Sequence, residues 1–477
     1  MLPRWLPRSL TFCASSRCST PDPAGAERRR IGAGMTKQDA GPRALALRSL
    51  AALERDGRYA NLEIDARLKH DGADLSPADR GLYTRLVYGV TERRITLDYI
   101  IDRCASRPAA EMDAGIRDAL RLGLYQLLYM ERIPDHAAVS ETVDLAKKTG
   151  RGGAGMVNAV LRAFLRSGKR VEWPDPAVDP IRALEVRHSI PAALIRVYGT
   201  ALSASGRTGE GELDALLSAL NREPMIGLRV NTLRLTAEEA AEAVGGELSR
   251  IAPDIVKISS LTEAARHGIE EGLWFVEDEA SRIAAKAVGA EPGETVADTC
   301  ACPGGKTFSM ALDMQNRGEV RAFDLHANKL SLVRKGAERL CLTVVTAEAR
   351  DARDPDPNLI GKADRVLCDA PCSGFGVIAK KPDLRYKDPS SAERLPGIQR
   401  EVLRGAAAYV RPGGILVYST CTLSRAENED TAEAFLGEHP DFALCEDALL
   451  PGGMRAFFPH VDGTDGFFAA KMIRRTE

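Results

Sequence analysis

Cysteine chemistry depends strongly on surroundings: the thiolate is the nucleophile, and from a reference pKa of about 8.5 it forms at neutral pH only beside positive charge, hydrogen-bond donors or a helix N-terminus. Two of the ten cysteines stand in loops of unlike sequence. Cys372 lies in Asp369-Ala370-Pro371-Cys372-Ser373-Gly374, and Cys421 in Tyr418-Ser419-Thr420-Cys421-Thr422. A thiolate can add to an electron-poor pyrimidine ring, leaving a carbanion-like carbon that accepts a methyl group, and two thiols can divide attack from release. The ordinary use of a free cysteine is as a small buried hydrophobe, which is the reading of Cys104, Cys341, Cys368 and Cys445. Cys300 and Cys302 read as loop packing residues. For Cys372 and Cys421, residue type alone leaves both uses open.

Each of the two thiols follows an apolar run that reads as a buried strand, residues 363–368 and 414–418. Each therefore emerges at a strand's carboxyl end, where open α/β sheets bind ligands. A third strand, 294–297, runs into Asp298-Thr299-Cys300-Ala301-Cys302-Pro303-Gly304-Gly305-Lys306, a glycine turn that opens a helix. Glycine lets backbone approach a ligand, and the helix start offers free N–H groups. Asp324 ends the next strand, where an acid accepts hydrogen bonds from a cofactor ribose, and Asp351 follows the one after, where a carboxylate can accept from an amino group. Each acid singly also reads as an ordinary loop residue; the three features together favour a cofactor site. The loop has neither the phosphate-loop pattern nor G-x-G-x-x-G, which disfavours nucleoside triphosphates and NAD.

The elements around these loops form a modular chain. At 477 residues it exceeds one core, and usual domain sizes imply roughly two to four domains. The balance of 65 basic against 67 acidic residues gives no global nucleic-acid signature, so any basic surface is local. The cysteines form no C-x-x-C pair, which argues against structural zinc and for a reducing compartment. The reading is a cytoplasmic, monomeric chain without membrane span or metal. Residues 1–34, with six arginines, read either as a leader or as a start assigned ahead of Met35.

Residues 35–168 read as an all-α domain. Apolar residues recur at three-four spacing through Leu47, Leu50, Leu82, Leu86, Val90, Ala119, Leu120, Leu124 and Leu127, and Ser76-Pro77 reads as a helix start. Arg85, Arg93, Arg94, Lys147, Lys148 and Arg151 read as a solvated face or as RNA contacts. Residues 169–222, rich in Pro, Gly and Ser, read as a linker, loosest over 199–212. Residues 223–285 read as a small α+β module, and from 286 to 477 strands and helices alternate as in a doubly wound sheet.

The ordered motifs Asp298 to Thr307, Asp369 to Gly374, Lys381-Pro-Asp-Leu-Arg385, Tyr418 to Thr422 and Glu427-Asn428-Glu429 resemble those of the NOP/Sun family of RNA cytosine-C5 methyltransferases. The helical segment, ending in Val157-Asn158-Ala159-Val160-Leu161-Arg162, resembles the NusB RNA-binding domain, and their fusion resembles the bacterial branch that modifies 16S rRNA. The resemblance covers nearly all of 42–471. It implies a NusB-like domain, an RRM-like α+β module and a Rossmann-like class I methyltransferase domain. It implies S-adenosylmethionine as methyl donor and 16S rRNA as partner, with tRNA methylation, or an RNA-binding antitermination factor with an inactive catalytic domain, as alternatives. Carried over by position, Cys300, Ala301, Cys302, Pro303, Gly304, Gly305 and Lys306 line the cofactor site, Asp324 binds ribose, Asp351 binds adenine, and Asp369 lies beside donor and base. Cys421 is then the nucleophile on cytosine C6 and Cys372 assists product release. The chain departs from the usual pattern at Thr299, Cys302 and Glu277, where Leu, Ala and Gln are common.

Overall fold

The computed structural model describes residues 41–148 and 152–476; the expectations for 1–34 and for Arg151 fall outside the described residues. The chain divides into two compact units, one holding residues up to 195 together with 381–386, the other 196–380 and 387–477.

The first unit is helical. Its helices are Pro42–Asp56, Ala60–His70, Pro77–Glu92, Arg94–Cys104, Ala114–Tyr129, Asp135–Ala146, Gly153–Arg166 and Pro180–His188. Ser76 caps the third, its hydroxyl accepting from the Asp79 amide at 3.1 Å with Pro77 in the first turn. The predicted stripes meet in one core, in which Leu86, Ala119, Leu120 and Leu124 are fully buried. Within this unit the segment 381–386 is held by Arg385, completely buried, whose guanidinium donates to the Glu92 carbonyl at 3.1 Å and the Ser189 carbonyl at 3.4 Å.

The stretch 169–222 is not a linker. It carries the helices Pro180–His188, Ala192–Ala204 and Glu212–Ala219, and Gly199, expected in the loosest part, lies mid-helix. Proline and aspartate there start a helix instead of breaking one: Asp179 accepts from the Arg182 amide at 2.9 Å and Pro180 occupies the first turn.

In the second unit the small module comprises β1 (Ile226–Val230), β2 (Glu247–Leu248), β3 (Ile255–Ile258) and β4 (Trp274–Val276) in the order β2-β3-β1-β4, all pairs antiparallel. Helices Ala237–Val244 and Glu263–Glu270 cover it, the first opened by a Thr236/Glu239 capping box. Leu228 and Val230 face its core, and Arg229 points the other way, as strand alternation requires.

The large sheet comprises β5 (Thr295–Asp298), β6 (Glu319–Asp324), β7 (Val345–Ala349), β8 (Ala363–Asp369), β9 (Val410–Thr420), β10 (Phe442–Leu444), β11 (Met454–Phe457) and β12 (Phe467–Arg474). The order is β10-β12-β9-β8-β5-β6-β7, with β11 on β12. Strands β5 to β9 are parallel, whereas β10, β11 and β12 pair antiparallel, so the expected Rossmann-like sheet is mixed at one edge. Both faces are buried. Val366 and Cys368 of β8 and Leu416 and Tyr418 of β9 point into one apolar cluster, while Leu367, Ile415 and Val417 point into the other. Two-sided burial makes these strands continuous apolar runs, which is why they are readable from sequence.

Candidate active site

Strands β8 and β9 are neighbours in parallel register, Asp369 opposite Ser419, so the loops after them leave the sheet side by side. Three residues beyond Asp369 and two beyond Ser419, the sulfurs of Cys372 and Cys421 meet at 3.2 Å. The loops are also joined by backbone: the Gly376 amide donates to the Cys421 carbonyl at 3.1 Å and the Gly466 amide to the Gly376 carbonyl at 2.9 Å. A Cβ at Gly376 would lie 1.8 Å from the Gly466 carbonyl oxygen, so only glycine fits.

The Cys372 thiol is held well above its ordinary value, first by its hydrogen bond with Cys421, then by burial and by the charges of Cys421, Glu427 and Asp369. Lys306 stands on the other side. Its ammonium donates to Asp369 Oδ2 at 2.8 Å and to the Ser281 hydroxyl at 3.3 Å, and lies 5.6 Å from the centre of the Phe467 ring. Burial alone would lower its pKa, but the Asp369 carboxylate, with Glu277 and Cys421, outweighs this and holds it above the ordinary value. Asp369 Oδ1 accepts from the Ser419 hydroxyl at 2.8 Å, which fixes the carboxylate between two donors.

The glycine loop follows β5. Its Cys302-Pro303 peptide bond is cis, and Gly304 has φ 117°, with a Cβ there falling 2.4 Å from the Phe308 ring. The next helix, Gly305–Asp313, thus starts with its amides uncovered by side chain. Asp298 is buried under the loop and accepts from Thr307 at 2.6 Å; burial above all, with the nearby Asp369 charge, pushes its carboxyl up to about 7. Asp324, at the end of β6, accepts from the amides of Cys302 at 3.2 Å and His326 at 2.9 Å. Asp351 follows β7 as expected but is paired with the Arg353 guanidinium at 2.6 Å, which, with hydrogen bonds from Arg353, lowers its pKa.

The thiols of Cys300 and Cys302 are raised chiefly by burial and stay protonated, as loop packing residues. Cys368 is buried, but Cys341, expected to be buried, is exposed and has positive φ, because it lies in the turn that ends the helix Leu330–Arg339. Glu277 is buried, with one oxygen accepting from Ser309 and the other without a partner, and burial raises its carboxyl. Among the described residues no group of three or more His, Cys, Asp and Glu is arranged to hold a metal. No helix among them is long and apolar enough to cross a membrane.

Sequence reading missed Ser281, Ser419 and Phe467, which surround Lys306 and Asp369, and Gln399, Thr422 and Ser373, which brace the thiol loops. Only Ser419, Thr422 and Ser373 carry a signal, as neighbours of the motif cysteines. Of the basic residues considered for RNA, Arg93 stacks over Tyr129 at 5.3 Å, Arg94 over Tyr386 at 3.6 Å, and Lys147 pairs with Asp144 at 2.6 Å. Arg229, in the RRM-like module, is 1% exposed and sits among Asp254 at 3.2 Å, Asp313 at 3.5 Å and Arg282. It is a structural charge, not an RNA contact.

The chain is similar to known proteins over most of its length. The profile of the family described as 16S rRNA methyltransferase RsmB/F matches residues 285–473, and that of the NusB family matches 40–166. A probable ribosomal RNA small subunit methyltransferase B of Bacillus subtilis is 39% identical over 91% of this chain and 98% of its own. A relative of the same description from Synechocystis is 34% identical over 90% of this chain and 98% of its own. Among solved structures, the crystal structure of PH0851 superposes with a TM-score of 0.70 at 26% identity, covering 92% of this chain and 99% of that one. Likeness of this extent, running through both the helical and the catalytic unit, makes the chain a member of the RsmB/F family of methyltransferases.

Proposed function

We propose that this methyltransferase transfers a methyl group from S-adenosylmethionine to C5 of a cytosine in 16S rRNA, through a covalent bond between Cys421 and cytosine C6. The observation that carries the reading is the pair of sulfurs 3.2 Å apart, with the Lys306 ammonium and Asp369 carboxylate beside them at 2.8 Å from each other. The glycine turn and Asp324 fit the donor: a turn that a Cβ would fill, a helix start with free amides, and a carboxylate at the end of β6 for ribose hydroxyls. Residues 300–306 line that site in this reading, and Asp351 takes the adenine amino group once Arg353 releases it. When bound, S-adenosylmethionine supplies an electrophilic methyl group.

The residues divide the remaining work. The Lys306 charge on the Cys421 side favours an anion there, while the neighbours of Cys372 raise its pKa, so in this reading Cys421 is the sulfur that attacks C6. The electron pair displaced from the C5–C6 double bond makes C5 nucleophilic, and C5 would take the methyl group while the donor sulfur keeps the S–CH3 bonding pair and leaves as a neutral thioether. Once Cys421 is a neutral thioether, its hydrogen bond and charge no longer raise the Cys372 pKa, while burial, Glu427 and Asp369 still do. With Cys372 as the group that assists release, the C5 proton passes to a base, the C5–H electron pair re-forms the C5–C6 double bond, and Cys421 departs as thiolate. The target base has to leave its stack to reach the sulfur, and the helical unit, of the NusB family, supplies RNA affinity. The purified chain, given unmodified small-subunit rRNA and S-adenosylmethionine, should produce 5-methylcytosine at one position mapped by bisulfite sequencing. Modification of tRNA instead would replace the substrate, and absence of 5-methylcytosine in both would overturn the reading.

A further inference from the structure

The adjacent residues Glu427 and Asn428 grip opposite thiol loops. Glu427 Oε2 accepts from the Ser373 amide at 2.8 Å and from Gln399 Nε2 at 3.0 Å, and its Oε1 accepts from the Ser373 hydroxyl at 2.6 Å. Gln399 Nε2 also donates to the Pro371 carbonyl at 2.9 Å. Both residues flanking Cys372 are thus tied to Glu427 or its partner. Asn428 does the same for Cys421: its Oδ1 accepts from the Thr420 hydroxyl at 2.5 Å and its Nδ2 donates to the Thr422 carbonyl at 3.0 Å. A bridge between the Ser373 and Thr422 hydroxyls at 2.8 Å closes the network, and the Tyr418 hydroxyl donates to the Glu427 carbonyl at 2.5 Å. Glu427, Asn428, Gln399, Thr420 and Thr422 are at most 1% exposed. The network is closed except at Gln399 Oε1, which has no partner, and a buried polar network this connected favours one geometry.

We propose that Glu427 and Asn428 are positioning residues that hold the two thiols in register and divide the reaction between them, Asn428 serving attack by Cys421 and Glu427 serving the release step of Cys372. The proposal rests on the covalent reading above. Two physical facts support the division. The bonds to Asn428 carry only the Cys421 loop, so losing them misplaces the nucleophile before any bond forms. The Glu427 carboxylate lies on the Cys372 side, where its charge helps that thiol retain its proton while Cys421 attacks.

The test uses the full chain, an unmodified small-subunit rRNA transcript and methyl-labelled S-adenosylmethionine, and compares wild type with Glu427→Gln, Asn428→Ala and Ser373→Ala. Single-turnover transfer, multiple-turnover rate and labelled protein–RNA adduct on a denaturing gel are read together. For Glu427→Gln the multiple-turnover rate is expected to fall at least about tenfold more than the single-turnover rate, with adduct persisting; for Asn428→Ala the single-turnover rate itself falls at least about tenfold and adduct does not accumulate. Ser373→Ala removes one of the bonds to Glu427 and gives the Glu427→Gln pattern more weakly, which keeps the test alive if Glu427→Gln does not fold. Combining Glu427→Gln with Cys372→Ala adds no further loss of turnover if both act on release. Equal losses of single and multiple turnover in both variants, with unchanged melting and S-adenosylmethionine binding, overturn the division of roles. A wild type that forms neither product nor adduct overturns the covalent reading and the proposal with it.

Discussion

At the scale of single residues, the site is a problem of where one negative and one positive charge reside. Lys306 and Asp369 neutralise each other at 2.8 Å, both largely but not wholly shielded, with 15% and 27% of their side chains exposed. Lys306→Met leaves Asp369 without its cation and Cys421 without the nearby positive charge. It is expected to slow adduct formation by about a hundredfold or more, and to cost less stability than the roughly 3–5 kcal/mol of breaking a fully buried pair; burst kinetics and urea titration check the two. Asp298 yields a prediction of opposite sign to the usual acid. Its folded carboxyl titrates near 7 against an ordinary value of 3.8, so between these the folded state binds more protons than the unfolded one, and stability falls as pH rises through that window and levels off above it. Asp298→Asn removes this slope. Urea midpoints of wild type and variant should therefore diverge in favour of the variant from pH 5 to pH 8; a pH-independent difference would refute the buried, proton-holding carboxyl. The spacing of the thiols is testable by peroxide, which converts the Cys421 thiolate to a sulfenic acid from which Cys372 displaces water. One disulfide between the two, found by peptide mapping and reversed by dithiothreitol with recovery of activity, is the expected outcome.

At the scale of elements, β8 and β9 carry the chemistry and the loops after them set its geometry. Gly376→Ala drives a Cβ into the Gly466 carbonyl at 1.8 Å, so the loop holding Cys372 must shift. Overpacking of this kind costs about 1–3 kcal/mol, and the peroxide-induced disulfide should form more slowly in the variant. The small module is fastened differently. Arg229 on β1 and Arg282 on the helix Glu279–Val288 share Asp254, beside β3, and Asp313, at the end of the helix Gly305–Asp313. Arg229→Ala removes one of two cations from half-buried carboxylates that Arg282 still pairs, and is expected to destabilise the chain by less than the about 3–5 kcal/mol of breaking a fully buried pair. If Arg229 instead contacted RNA, the variant would lose RNA affinity and its salt dependence with stability unchanged.

At the scale of the molecule, what sequence made legible follows from local physics. Two-sided burial turns 363–369 and 414–420 into apolar runs, and the three-four spacing from Leu47 to Leu127 marks helices, so the order of elements and the rim carrying Cys372, Cys421 and Asp324 could be read before any coordinates. Long-range register could not. Nothing local says that Asp369 pairs with Ser419 or that Gln399 reaches Pro371. The helices within 169–222 were hidden because proline and aspartate serve helix starts as well as turns, and the short β10 and β11 because three or four residues carry no period. The roles of the two cysteines are the central claim, and the most direct measurement is a denaturing gel of wild type, Cys372→Ala and Cys421→Ala after incubation with unmodified 16S rRNA and methyl-labelled S-adenosylmethionine. A labelled protein–RNA adduct with Cys372→Ala alone is expected. An adduct with Cys421→Ala instead would reverse the roles and contradict the account.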